Sequence, residues 1–71
     1  MTPATLSRVG TALYGPLYQT QLSRALGVND RTIRRFLTQE MPIPDGIREE
    51  LVKLIHKRRE ELLETLKLLA D

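Results

Sequence analysis

Residues 47 to 69 contain neither glycine nor proline. They follow Met41-Pro42-Ile43-Pro44, a linker in which each residue before a proline is pushed out of the helical region. From Pro44 or Asp45 onward the pattern is helical to the end. Asp45, Glu49 and Glu50 sit near its start, where the helix dipole favours anions, and Lys67 sits near its close, where it favours cations. A helix over residues 46–70 would be about 37 Å long at roughly 1.5 Å per residue, whereas a compact chain of this size has a radius of gyration of about 11 Å. One element therefore outruns any globule that the rest can form. Its first part, Ile47, Leu51, Leu54 and Ile55, is expected to close a core. Its last part carries Leu62, Leu63, Leu66, Leu68 and Leu69, more apolar surface than a monomer leaves in water.

That surplus matters because a 71-residue chain buries only about 60% of its unfolded surface. Small domains compensate with disulfides, a metal site or a partner chain. The chain has no cysteine and one histidine, which excludes disulfides and leaves no zinc framework, so no metal or cofactor is expected. A partner chain remains. Ile55, Leu62, Leu66 and Leu69 form a seam near the coiled-coil period, interrupted by Arg58. The expectation is a homodimer with paired C-terminal helices, Leu62, Leu63, Leu66 and Leu69 lying at the interface. No run approaches the roughly 18 apolar residues of a membrane span, and the first residues lack the basic-then-apolar order of a signal peptide. No membrane partner and a cytoplasmic location are expected.

Ahead of the linker, helix signals recur and strand signals do not. Thr2 followed by Pro3 reads as an N-cap with proline at the first helical position, and Leu6, Val9 and Leu13 share one face, giving a helix over 3–13. Tyr14-Gly15-Pro16 stops it. Leu22, Ala25 and Leu26 predict a short helix ending at Gly27. Asn29 is a good N-cap for a third, over 30–38, with Ile33, Phe36 and Leu37 as its inward stripe. In the stretch Gln19 to Phe36, Gly27 takes a sharp turn that a side chain would hinder, Val28 plugs the corner, and Ser23 is small where two helices must approach. These are the requirements of a helix-turn-helix. The expected fold is all-α, of about four helices. Residues 1–55 would form the helix-turn-helix domain, and residues 56–71 a dimerisation extension continuous with it.

Gln19, Leu22-Ser23, Leu26-Gly27-Val28 and Ile33 are similar in spacing to the Cro/repressor type (XRE-like) of bacterial and phage helix-turn-helix regulators, over roughly residues 3–55. The run R-T-I-R-R-F-L followed by P-I-P-D-G also resembles short phage-associated members, some of which are autorepressors of small operons. The resemblance implies a sequence-specific regulator of duplex DNA, binding a palindromic operator as a dimer, with the third helix in the major groove. Carried over position by position, it implies that Asn29, Asp30, Arg31 and Arg35 reach base edges, and that Gln19, at the start of the second helix, meets phosphate. Three residues depart from the family pattern: Ser23 replaces the usual alanine, Tyr18 the usual Ser or Thr cap, and Gln39 a frequent glycine after the recognition helix.

The charges point the same way. Residues 1–39 hold Arg8, Arg24, Arg31, Arg34 and Arg35 against Asp30 alone, while residues 40–71 carry a net −2. A basic half joined to a mildly acidic one suits a polyanion on one face. Arg31 and Arg35, at i and i+4, share a face, and each can grip the O6 and N7 of a guanine. Arg34 and Thr38 are expected at phosphate. The spacing of Asp30 to Arg34 suits an anion that orients that arginine. His56 lacks the companions of a metal or hydrolase site, and His56-Lys57-Arg58-Arg59 is followed at once by Glu60 and Glu61, as on a solvated face. No phosphate-cradling glycine loop or paired-carboxylate site appears, so an enzyme is not expected. A protein-interaction module using the leucine-rich tail and an RNA-binding helical face are the competing readings.

Overall fold

The structure, a computed structural model, describes residues 1–70. It comprises α1 (Pro3–Tyr14), α2 (Gln19–Leu26), α3 (Asp30–Leu37) and α4 (Asp45–Lys67), with no strand among the described residues. Each helix end has a local cause. Thr2, in an extended conformation, accepts the Thr5 N–H on its hydroxyl at 3.2 Å, and Pro3 starts α1 behind it. Helix α1 runs one residue further than the apolar spacing predicts and closes when the Gly15 N–H, at φ 86°, reaches the Thr11 carbonyl at 2.8 Å. Gly27, at φ 71°, turns the chain out of α2, and the Val28 N–H returns to the Ser23 carbonyl at 2.9 Å.

Helix α3 stops at Leu37, one residue before the expected Thr38, and its exit repeats the geometry at Gly27 without a glycine. Gln39 takes the left-handed conformation, φ 64°, and the Glu40 N–H closes on the Arg35 carbonyl at 2.9 Å. The same hydrogen-bond closure forms, with Gln39 bearing a backbone strain that Gly27 does not.

Leu6, Leu13, Tyr18, Leu22, Ile33, Phe36 and Leu51 are buried, each worth about 1.5–3 kcal/mol for leaving water. Val28 packs against this cluster, as the corner reading requires, and so do Ile43, Ile47 and Leu54. One expected core residue stays outside: Ile55 is 40% exposed. Gly10 has a role the sequence left unread. It lets the Tyr18 ring lie directly on α1, and a Cβ there would overlap the ring carbons.

Helices α1 and α2 lie close to one another, and α3 and α4 each lie close to both, whereas the α3 and α4 backbones stay further apart. The α1–α2 pair therefore separates the arginine-bearing helix from the leucine-bearing one. Helix α4 ends at Lys67 rather than near residue 70, yet it still projects: the extents are 50 × 22 × 20 Å and the radius of gyration is 13.6 Å. No described helix is long and apolar enough to cross a membrane.

Candidate nucleic-acid interface

Helix α3 has eight residues and is fixed at both ends and along one side. At its start the Asn29 carboxamide oxygen accepts the Thr32 N–H at 2.8 Å and the Thr32 hydroxyl at 3.0 Å. At its end stands the left-handed closure at Gln39. Its inner side buries Ile33 and Phe36 and partly buries Leu37. At 100° per residue Arg31, Arg34, Arg35 and Thr38 lie on the opposite side, and all four are exposed. Among the described residues no carboxylate comes within 4 Å of Arg31 or Arg34. Arg35 Nε faces Glu40 Oε2 at 3.8 Å, a loose, solvent-exposed pair worth well under about 1 kcal/mol. Arg31, Arg34, Arg35, Thr38 and Glu40 together line a shallow depression.

Asp30 turns away from the role its spacing suggested. Its carboxylate does not pair with Arg34. The Ser23 hydroxyl donates to Oδ1 at 2.5 Å and the Thr20 hydroxyl to Oδ2 at 3.2 Å, so the first residue of α3 is bonded to α2. Ser23 is buried and its oxygen also lies 2.7 Å from the Thr20 carbonyl, leaving one proton between two acceptors. The Ser23 hydroxyl, then that of Thr20 and the more distant Arg34 and Arg24, hold the Asp30 carboxyl below its ordinary value, against partial desolvation that raises it. The serine at position 23 thus supplies an α2–α3 link. The link was legible in part: Thr20 and Ser23, at i and i+3, place two hydroxyls on one face of α2 opposite an acid at the start of α3.

Gln19 is the first residue of α2 and half-buried, at the helix end where phosphate contact was expected. Tyr18 provides no side-chain cap; it is buried, and its ring instead anchors the start of α2 to α1. The Arg24 side chain is exposed on the last turn of α2. The α3 arginines and the start of α2 are thus set by hydrogen bonds and packing on all sides but the solvent side.

The tail is arranged differently. Leu62, Leu63, Leu66 and Leu69 are 60%, 50%, 61% and 80% exposed. Arg58, read as part of a solvated basic face, is not one: its Nη1 donates to the Leu13 carbonyl at 2.6 Å, and its guanidinium lies over the Tyr14 ring at 5.4 Å. The signal was present in the period. Continuing the stripe of Ile47, Leu51 and Leu54 at 100° per residue leads to Arg58, with Ile55 at the stripe's edge. Arg58 thus satisfies an orphan carbonyl at the end of α1 and marks the point where α4 leaves the body.

Comparisons with protein-family models, with curated proteins and with solved structures returned no match.

Proposed function

We propose that the protein is a sequence-specific transcriptional regulator of duplex DNA, acting in the cytoplasm as a dimer and repressing by occupying a promoter. The observation that carries this reading is the outer face of α3, where Arg31, Arg34 and Arg35 fan into solvent from a short helix pinned at both ends. A helix so presented fits a B-form major groove, and arginine is the side chain best suited to guanine edges and phosphates. The Cro/repressor-like spacing around Gly27 supports the same assignment. Arg31 and Arg35 are the proposed base readers; Arg34, Gln19 and Thr38 meet the backbone. Asn29 and Asp30 use their side-chain oxygens within the protein, so their part is chiefly to orient α3.

Binding to duplexes from upstream of the protein's own gene, followed by fluorescence anisotropy, tests the reading. Affinity should fall steeply between about 50 and 200 mM salt as phosphate counterions are released. Arg31→Ala or Arg35→Ala should cost about 1–3 kcal/mol on the cognate site and relax base preference, while Arg34→Ala should weaken all duplexes alike. A folded protein that binds no duplex at low salt, or that prefers hairpin RNA, overturns the proposal.

A further inference from the structure

The exposed leucines belong to a longer apolar strip. Leu62, Leu66 and Leu69 line a groove that reaches back to Ile55 and to Ala12 at the end of α1. Ile55 also lines a second hollow, between α1 and α4, walled by Met1, Val9, Leu51 and Val52. The strip is thus continuous from the tip of α4 to the flank of α1, and its body end is a hollow between two helices.

We propose that a second copy of this chain covers the strip with its α4 antiparallel, so that Leu66 and Leu69 of each protomer enter the hollow beside Val52 and Ile55 of the other. Charge selects this direction. Lys57, Arg58 and Arg59 precede Glu60, Glu61 and Glu64 along the helix. A parallel pair turns Arg59, which lines the groove, against the partner's Arg59. An antiparallel pair centred between Glu60 and Glu61 instead lays the stem of Arg59 on the partner's Leu62. In that register Ile55 meets the partner's Leu66 and Val52 meets the partner's Leu69, so two exposed leucines fill the concave end.

The register also separates the two bodies. Leu51, which anchors α4 in the core, lies about 19 residues of helix from its mate, or about 28 Å at roughly 1.5 Å per residue. Resting on the DNA-binding reading, that span approaches the roughly 34 Å between half-sites one helical turn apart.

The chain has no cysteine, so single cysteines report the register without background. Ile55→Cys and Leu66→Cys, mixed and oxidised without DNA, should form a mixed disulfide in high yield, as should Val52→Cys with Leu69→Cys. Leu69→Cys alone should stay uncross-linked, since a bond needs Cα atoms within about 7 Å and its mate would lie about 25 Å away. Helical circular dichroism checks that each variant is folded, and all four sites are exposed. Rapid Leu69→Cys self-coupling would show a parallel pair and overturn the proposal. So would a monomeric mass by light scattering at high concentration, or a dimer in which no strip position cross-links. Because no nucleic acid is present, failure here leaves the DNA-binding reading standing, and failure of that reading leaves the cross-links unchanged.

Discussion

Leu22 and Leu66 are the same side chain on the same kind of element, yet Leu22 is fully buried and Leu66 is 61% exposed. The first sits in a body where four helices fold around one cluster. The second sits on a helix that has left that body, with nothing of its own chain to cover it. The body is a structure completed by a single chain, while the tail keeps unburied the kind of surface that usually holds a small core together.

The sharpest way to break this contrast is to truncate both leucines. Leu22→Ala should cost about 2–5 kcal/mol in urea unfolding because a fully buried site collapses poorly around the void. Leu66→Ala should leave a dilute monomer's unfolding midpoint nearly unchanged and act only on association. Gly10→Ala comes next. Better helix propensity should favour the alanine by about 1 kcal/mol, but the collision with the Tyr18 ring should outweigh it, for a net loss of about 1–3 kcal/mol in thermal melts. Gln39→Gly should stabilise the body by up to about 1 kcal/mol, since glycine adopts the left-handed exit from α3 without a side-chain penalty. The smallest effect concerns acid. The folded-state pKa of Asp30 is lowered, so its bonds to Ser23 and Thr20 contribute fully above the ordinary value of about 4 and are lost as pH falls through the lowered one. The melting temperature of wild type should exceed that of Asp30→Asn at pH 5–7, and the gap should shrink below pH 4.

What could be read from the sequence was local or periodic. The caps at Thr2 and Asn29 and the turn at Gly27 depend on a few neighbouring residues, and all three lie where those residues place them. The inward stripe of α3 follows from spacing alone, and with it the outward set of Arg31, Arg34 and Arg35. The links that hold this face in position join separate segments. Ser23 reaches Asp30 across the turn, and Arg58 reaches Leu13 across 45 positions of chain, so spacing marks the residues involved but not the partners they find. Ile55 was misread because it lies at the edge of the core stripe on α4, where the reach of α1 and α2 decides burial and periodicity does not. Asp30 was assigned to the nearest cation on its own helix, whereas two hydroxyls on the preceding one were closer.

The grip of Arg58 on the end of α1 gives α4 the mechanics of a lever. About 14 Å of helix extends beyond that point at roughly 1.5 Å per residue, so a tilt of about 10° at the guanidinium would carry the far tip sideways by about 2 Å. Anything that loosens one bond at the pivot would therefore be magnified at the free end, where the exposed leucines sit.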